Sequence, residues 1–374
     1  MYSFFEGNYR WSYNTLLAFS AGGQLGDIAL VHERLKPKVG DDAAWHDEWA
    51  WLARMLEERA NAPGASSHTR AENLFLSSLY HTISEHFIPP AEPARMASYR
   101  EVLRTFDAAR AASSHPIERV MVPFEGSTLP AYFVPAQSPN AAKPSGKHPT
   151  AIFICGLDTT KELWYLRARL QFAARGVNCL FIDTPGIGEA LRVNKLVTRH
   201  DYEKPVGAAI DWLEKRAEVD PARIGIVGSS LGGYYIARAA AFEPRLKAAA
   251  AWGAIYDYHR VWVRRVTTGG IVAAPRFQLM FITGTDTMEA GIEAVKDFRI
   301  ADFASRIQCP FLVMHGAEDL QVLMEDAHAM YAALGSKDKQ MVVFDGKNGG
   351  AAHTQFDNHL PALQICADWV AAKL

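Results

Sequence analysis

Residues 228–232 read Gly-Ser-Ser-Leu-Gly, a G-x-S-x-G pattern between two different structural signals. The run before it, Arg-Ile-Gly-Ile-Val, predicts a buried strand, and Gly-Tyr-Tyr-Ile-Ala-Arg-Ala-Ala after it predicts a helix. A serine on such a sharp turn projects its hydroxyl beyond the sheet, beside the N–H groups that open the helix. We therefore expect Ser230 to be a nucleophile. The alternative is a glycine-rich turn that carries an unreactive serine.

Strand-like apolar runs alternate with helical patterns on both sides of this motif. Because such alternation buries both faces of a sheet, it predicts an α/β fold with a mainly parallel, doubly wound sheet. Two further runs, joined through Glu125-Gly126-Ser127, predict a β-hairpin before it. The predicted strands cover residues 118–124, 129–134, 151–155, 177–182, 224–227, 246–252, 311–314 and 341–344, and helices are predicted over 162–175 and 201–217.

Two regions depart from the alternation. Residues 1–115 carry helical signals and almost no strand signals, and Thr69 with Glu72 predicts a capping box at the start of one helix. The stretch 256–308 is too long for a simple connection and predicts a helical insertion. We expect a helical cap domain over 1–115 and a catalytic domain over 116–374 that contains this insertion as a lid.

The charge of the chain is nearly balanced, with 39 Lys and Arg against 41 Asp and Glu and a net charge of -2. This composition does not favour nucleic acid or a membrane surface as a partner. The N-terminal residues lack a signal-peptide pattern, and no apolar run reaches the ~18 residues of a spanning helix. The four cysteines lack C-x-x-C spacing. We therefore expect a soluble cytoplasmic protein with reduced thiols and no metal site.

A serine nucleophile needs a base, and the base needs an acid that orients it. On an α/β-hydrolase fold these follow the serine in the order acid, histidine, each after a later strand. Asp319 follows the penultimate predicted strand and His353 follows the last, so we expect them to be the acid and the base. Glu318 is the alternative acid. His315 is a rival histidine, but its place before the acid predicts a structural role.

Backbone donors must hold the oxyanion that forms when the serine attacks. Leu231 N–H follows the nucleophile, and Leu157 N–H lies in the loop after the strand 151–155. The same loop carries Asp158 at the expected rim of the site. Its carboxylate could act on the substrate or could cap the following helix, and the sequence leaves both open.

Several runs in register resemble those of one group of enzymes, and they are 152–162, 181–189, 228–233, 243–246 and 315–319. Over about 116–374 the chain resembles the 2,6-dihydroxypseudooxynicotine hydrolase group of α/β-hydrolases, whose relatives include fungal polyketide-shortening hydrolases and fermentation-respiration switch proteins. The resemblance implies an α/β-hydrolase fold with an N-terminal helical cap, cleavage of carbon–carbon bonds beside ketones without a cofactor, and a homodimer.

The resemblance also implies site residues. Ser230, Asp319 and His353 fall on the triad of the group. Asp158 falls where the nicotine-pathway enzyme has a Glu that assists substrate binding or catalysis. The side chain at this position is therefore one methylene shorter in the present protein. Cys155 stands where a Gly is common, and these two differences affect which substrate is expected.

Three functions are consistent with the sequence. The favoured one is hydrolysis of a carbon–carbon bond in a small β-diketone or acyl-phenol-like molecule. The second keeps the same residues but cleaves an ester, thioester or amide; a peptidase is less expected, since no propeller-sized domain precedes the catalytic region. The third is an idle binding or regulatory protein on the same fold.

Overall fold

The computed structural model describes residues 2–137, 146–269, 273–347 and 349–374. The chain divides into two compact units. The first comprises Met1–Ile117 with the short segments Glu162–Arg167 and Val272–Phe277. The second comprises Glu118–Lys161, Ala168–Ile271 and Gln278–Leu374.

The first unit is built on five helices: α1 (Tyr9–Ser20), α2 (Leu25–Leu35), α3 (Asp42–Ala60), α4 (Ser67–Glu85) and α5 (Pro93–Ala112). Its core is aromatic. Trp45 on α3 is fully buried, and its ring lies 5.0 Å from that of Trp11 and 5.4 Å from that of Trp49. These indole pairs are tilted at 45° and 46°; they bury a large apolar area and hold α1 against α3.

The capping box predicted at Thr69 is wrong. Helix α4 begins at Ser67, and the hydroxyl of Ser66 accepts the N–H of Thr69 at 3.1 Å. Ser66 is therefore the N-cap and Thr69 is the third helical residue. Ser66 and Thr69 both carry a hydroxyl that could cap the helix, and the sequence pattern does not distinguish between them.

The second unit contains one eight-stranded sheet of order β1-β2-β4-β3-β5-β6-β7-β8. Strand β2 runs antiparallel to β1 and β4, and the pairs from β4 through β8 are parallel. The strands are β1 (Glu118–Phe124), β2 (Ser127–Val134), β3 (His148–Ile154), β4 (Asn178–Ile182), β5 (Val219–Ser229), β6 (Leu246–Trp252), β7 (Phe311–Gly316) and β8 (Lys339–Phe344). The mainly parallel sheet expected from the sequence is confirmed, and the carboxyl ends of β3 and β5–β8 share one edge.

Helices connect and cover these strands. They are α6 (Lys161–Ala168), α7 (Gly188–Arg192), α8 (Glu203–Leu213), α9 (Leu231–Phe242), α10 (Tyr258–Thr267), α11 (Phe277–Thr283), α12 (Met288–Ala294), α13 (Met324–Ala333) and α14 (His359–Lys373). Helix α6 is shorter than predicted because it stops at Ala168, and a separate single turn at Ala173–Arg175 ends on Gly176 in a left-handed conformation with φ +79°.

The segment predicted as a helical insertion contains α10, α11 and α12 in its described part, while residues 270–272 lie outside the described ranges. It begins after the carboxyl end of β6, and the sheet resumes at β7. Within the described ranges, no helix combines the length and the apolar character needed to cross a membrane. The four cysteines are free thiols, and Cys155, Cys179 and Cys366 are buried.

Candidate active site

Ser230 occupies a strained turn between β5 and α9. Its backbone has φ +56° and ψ -119°, a region that residues with a side chain rarely adopt. A Cβ at Gly228 would lie 2.2 Å from the carbonyl oxygen of Gly232, and a Cβ at Gly232 would lie 2.6 Å from that of Ile154. Only glycine fits these two positions, so the G-x-S-x-G spacing is a steric requirement of this turn.

The turn is also anchored to the sheet. Ser230 N–H donates to the Trp252 carbonyl at the end of β6 at 2.8 Å, and Gly233 N–H donates back to the Ser230 carbonyl at 2.7 Å. Strain at a fixed position of this kind persists only where the surrounding structure holds it, and it is concentrated at functional sites.

His353 joins Ser230 to Asp319. Its Nε2 lies 2.8 Å from Ser230 Oγ, and its Nδ1 lies 2.5 Å from Asp319 Oδ2. The three side chains come from the loops that follow β5, β7 and β8, and the structure brings them together. Because a carboxylate only accepts, Nδ1 carries the proton and Nε2 is left as the acceptor for the serine hydroxyl.

Asp319 is held as a buried anion. Its Oδ1 accepts the N–H groups of Gln321 at 2.8 Å and of Val322 at 2.9 Å. Burial alone would raise the pKa of Asp319, but the charge and hydrogen bond of His353, with the backbone donors, hold it below its usual range. The carboxylate is therefore positioned to orient the imidazole and to stabilise its protonated form.

Neither the alternative acid, Glu318, nor the rival histidine, His315, takes a place in the line of hydrogen bonds to Ser230. Glu318 is exposed, and the contact with His353 is made by its neighbour Asp319. His315 is buried, and its Nδ1 accepts the N–H of Ala254 at 3.2 Å, so its Nε2–H donates to the Val322 carbonyl at 2.9 Å. Burial lowers the pKa of His315, which keeps it neutral. It braces the loop that carries Asp319.

The loop that carries His353 is fixed by buried contacts. Thr354 and Gln355 have positive φ of 50° and 53°, and the Gln355 amide oxygen accepts the indole N–H of Trp252 at 2.5 Å. The ring of Trp252 in turn stacks on His359 at 5.0 Å. Trp252 ends β6 beside the serine turn, so one buried indole links the strand that anchors Ser230 to the loop of His353.

The two expected oxyanion donors come from two segments of the chain, the start of α9 and the loop after β3. Within the described ranges, neither Leu157 N–H nor Leu231 N–H donates to a protein acceptor. The carbonyl of Leu157 accepts the side-chain N–H of Gln278 on α11 at 3.1 Å. A Cβ at Gly156 would lie 3.0 Å from the Ser229 carbonyl oxygen, so the Leu157 loop runs directly against the serine turn. Both donors are available to an oxyanion.

A buried ion cluster fixes the end of the Leu157 loop. Lys161 Nζ lies 3.0 Å from Asp183 Oδ2 and 2.9 Å from Glu189 Oε2, and the Lys161 N–H donates to Asp183 Oδ1 at 2.8 Å. All three residues are buried. A paired and hydrogen-bonded cluster of this kind is costly to disrupt, because loss of one partner leaves an uncompensated buried charge.

Asp158 is half-buried in the loop between β3 and α6. Because α6 begins at Lys161, the N-cap position is Thr160, and Asp158 lies two residues farther from the helix. The reading of Asp158 as a simple N-cap is therefore not favoured. Its carboxylate instead acts electrostatically on Tyr258 and Arg265, two residues of α10.

Sequence reasoning missed these α10 residues and Gln278. Tyr258 and Arg265 stand seven positions apart, two helical turns, and both fall on the buried face of α10. An arginine on the inward stripe of a helix in the insertion was the available signal. Gln278 carried none, because its contact with Leu157 joins residues 121 positions apart.

Within the described ranges, one group of side chains has the spacing of metal ligands. Glu57, His81 and Glu101 lie on α3, α4 and α5 of the first unit. Arg104 already donates to Glu57 at 2.6 Å and to Glu101 at 2.5 Å. The charges of these carboxylates are therefore matched by an arginine, and the geometry fits an ion pair better than a metal centre.

Comparison with known proteins places the chain in a family. The model of the prolyl oligopeptidase family matches residues 164–373, and that of the esterase FrsA-like family matches residues 35–265. Each match covers more than half of the chain.

Individual relatives match along most of their length. The 2,6-dihydropseudooxynicotine hydrolase of Paenarthrobacter nicotinovorans is 29% identical over 292 residues, which cover 78% of this chain and 74% of that protein. The 20-hydroxy-prefusarin hydrolase FUS2 of Gibberella moniliformis is 27% identical over 377 residues, with 88% and 87% covered.

A solved structure matches nearly the whole chain. The crystal structure of 2,6-dihydroxy-pseudo-oxynicotine hydrolase superposes with a TM-score of 0.80 at 25% identity and covers 96% of this chain and 95% of its own. The resemblance noted from the sequence and the α/β-hydrolase fold are thereby confirmed. The chain is a hydrolase with the α/β-hydrolase fold that belongs to the prolyl oligopeptidase family and, over residues 35–265, to the esterase FrsA-like family.

Proposed function

We propose that this protein hydrolyses a carbon–carbon bond next to a ketone in a small β-diketone or acyl-phenol-like substrate, with Ser230, His353 and Asp319 as its catalytic triad. The observation that carries the proposal is the continuous hydrogen-bonded line from Asp319 through His353 to Ser230 Oγ, at 2.5 and 2.8 Å. The relatives named as hydrolases support hydrolysis, and the sequence resemblance to the 2,6-dihydroxypseudooxynicotine hydrolase group supports the choice of bond.

The proposed reaction begins when Ser230 Oγ adds to the ketone carbon while His353 Nε2 takes the hydroxyl proton. Leu157 and Leu231 N–H groups hold the oxyanion. The carbon–carbon bond then breaks, and its electron pair leaves as an enolate or an electron-rich ring, which the His353 imidazolium protonates. Water, activated by His353, cleaves the acyl group from Ser230 and completes the hydrolysis.

Ester cleavage is the second candidate. The match to the esterase FrsA-like family favours it, and the same triad and donors would serve an ester, thioester or amide. An idle binding protein is less supported, because the hydrogen-bonded line to Ser230 has no evident purpose without a reaction.

The test compares turnover of 1-phenylbutane-1,3-dione with that of p-nitrophenyl acetate and an acyl thioester, by product analysis. We expect cleavage of the diketone, and loss of that activity in Ser230→Ala with the fold retained. Turnover of the esters alone would transfer the function to the esterase class. Failure of a fluorophosphonate to label Ser230 would favour the idle protein.

We further propose that residues 1–115 act as a cap domain over a catalytic domain of 116–374, and that 256–308 act as a lid. Both regions are helical in their described parts and rich in large apolar side chains, which suits a cover that excludes water and selects substrates. Deletion of 1–115 is expected to destroy activity and expose apolar surface. A soluble truncated protein with unchanged kinetics would contradict the cap.

Two broader expectations belong to the same proposal. The free thiols of the four cysteines support a reducing compartment such as the cytoplasm. A homodimer is inferred from the family resemblance, and light scattering of the purified protein would test it. A monomeric mass at micromolar concentration would contradict the dimer.

A further inference from the structure

One face of α10 carries three buried side chains that can donate hydrogen bonds. Tyr258, Trp262 and Arg265 stand at i, i+4 and i+7, so they share one helix face. Their exposed fractions are 1%, 0% and 6%. A buried stripe of a helix is normally apolar, and this one ends in a guanidinium.

Most of these donors have no protein acceptor. The Tyr258 hydroxyl, Trp262 Nε1 and the Nε and Nη1 atoms of Arg265 find none among residues 2–137, 146–269, 273–347 and 349–374. Arg265 Nη2 does donate, to the Gln321 carbonyl at 3.3 Å. An unsatisfied buried donor costs on the order of 1–3 kcal/mol, and a charged one costs more. Four such atoms on one face call for a ligand that accepts from them.

The three side chains form one cluster, which we call the α10 donor cluster. The Arg265 guanidinium carbon lies 4.8 Å from the centroid of the Trp262 ring, and the rings of Tyr258 and Trp262 meet edge to face at 6.3 Å. Burial raises the pKa of Tyr258 to about 12, so its hydroxyl stays protonated and able to donate. Burial lowers the pKa of Arg265, but a guanidinium remains charged in proteins.

The cluster lies beside the proposed triad. Arg265 donates to the carbonyl of Gln321, whose N–H donates to Asp319 Oδ1 at 2.8 Å. The carboxylates of Asp158 and Asp319 are near enough to act electrostatically on Arg265. In the described part of the chain, however, no carboxylate approaches Arg265 within the 4.0 Å of an ion pair. The positive charge of Arg265 is therefore stabilised by these two carboxylates, but neither of them forms an ion pair with it.

Cleavage of a carbon–carbon bond places negative charge on a second oxygen of the substrate, which ester cleavage does not. When the bond next to the attacked ketone breaks, its electron pair moves to the leaving carbon and is delocalised onto the oxygen of the neighbouring carbonyl or phenol. That second oxygen gains negative charge as the bond breaks, and preorganised donors lower the barrier most where charge develops. When an ester is cleaved, the leaving alkoxide or phenolate takes the charge on the oxygen that was bonded to the attacked carbon, so no charge develops at a second carbonyl.

We propose that the α10 donor cluster is a second oxyanion site, in which Arg265 and Tyr258, with Trp262, bind the enolate or phenolate oxygen of the leaving group. This inference rests on the proposed carbon–carbon hydrolase function. The reaction needs no further reagent, because its atoms and charges balance. Arg265 and Tyr258 keep their protons, His353 supplies the proton to the leaving carbon, and water releases the acyl group from Ser230. Arg265 and Tyr258 would then determine the substrate class.

The first test measures kcat/KM for 1-phenylbutane-1,3-dione and p-nitrophenyl acetate in Arg265→Gln and Tyr258→Phe. Each substitution is expected to lower diketone turnover at least about tenfold and to change ester turnover less than about twofold. Arg264→Gln is the matched control, because Arg264 also donates to the Gln321 carbonyl, at 3.0 Å, but is not part of the cluster. It is expected to leave both activities unchanged.

The second test does not depend on turnover. When 1-phenylbutane-1,3-dione is mixed with the Ser230→Ala variant at fixed pH, we expect to see the absorption of its bound enolate. The double variant Ser230→Ala, Arg265→Gln should lack that absorption, while its melting temperature stays close to that of Ser230→Ala. Tyr258→Phe removes only a hydroxyl and provides the same test if Arg265→Gln does not fold.

The outcomes separate this inference from the function on which it rests. If Ser230→Ala keeps diketone turnover, the proposed function fails. If Ser230→Ala is inactive but the Arg265 and Tyr258 variants affect both substrates equally, or neither, the cluster is structural and its donors bind only water. Enolate absorption that survives Arg265→Gln would also overturn the second oxyanion site.

Discussion

The side-chain amide of Gln278 donates to the carbonyl oxygen of Leu157 at 3.1 Å, across 121 positions of sequence. This buried bond ties helix α11 of the insertion to the loop that carries a proposed oxyanion donor. The insertion therefore helps to fix the loop that carries this proposed donor.

Gln278→Leu is expected to lower kcat about tenfold with little change in KM, because the Leu157 loop loses its hydrogen bond to α11 while leucine keeps most of the side-chain volume. Gln278→Glu is a useful partner variant, since an ionised carboxylate cannot donate to the carbonyl and should be equally impaired. Steady-state kinetics of both variants check this. Normal kcat in Gln278→Leu would show that the bond does not position the loop.

The choice of acid can be tested at neighbouring residues. Asp319→Asn is expected to lower kcat on the order of 10⁴-fold, because an amide can leave His353 in the wrong tautomer. Glu318→Gln is the control, and its exposed side chain predicts an effect of less than about twofold. If the two effects were reversed, the acid would be Glu318.

Asp158 separates the two hydrolase candidates. In a carbon–carbon hydrolase its carboxylate could accept the enol or phenol proton of the substrate, and Asp158→Asn should lower diketone turnover at least about tenfold while sparing an activated aryl ester. Paired assays of the two substrates measure this. Equal effects on both, or no effect on either, would favour the esterase.

The helical unit carries a pH-sensitive contribution to stability. Hydrogen bonds from His81 and Arg104 hold the pKa of Glu57 at about 2. Because this pKa is lowered in the folded state, the stabilisation is complete above the ordinary glutamate pKa of ~4.3 and is lost as the pH falls toward about 2. Melting temperatures of the wild type and Glu57→Gln should therefore differ at neutral pH and converge in acid.

Glu58→Gln is the matched control, since Glu58 is the exposed neighbour on the same helix. It should follow the wild-type pH profile throughout. A wild-type advantage over Glu57→Gln that persisted undiminished to about pH 2 would contradict the role of ionised Glu57.

Much of the fold and the proposed triad could be predicted because each rests on local rules. The glycines around Ser230 are required by contacts as short as 2.2 Å, and the order of Ser230, Asp319 and His353 follows the order of strands in the sheet. Helix ends were less predictable. Ser66 and Thr69 both offer a hydroxyl, and only the packed helix selects between them.

What the sequence could not supply depends on long-range packing. The donors of Tyr258 and Arg265 become unusual only when burial removes them from water, and no local pattern states that burial. The same holds for His315, whose role follows from contacts with Ala254 and Val322. The two short segments that join the first compact unit, 162–167 and 272–277, were likewise not anticipated.

The most direct test of the central claim is a rapid-quench experiment in which the protein is mixed with 1-phenylbutane-1,3-dione and the trapped species is mapped by peptide mass spectrometry. The account predicts a transient acyl group on Ser230 that forms and decays at rates able to support turnover and is absent in Ser230→Ala. Diketone cleavage without an acyl group on Ser230, or with one on another residue, would contradict it.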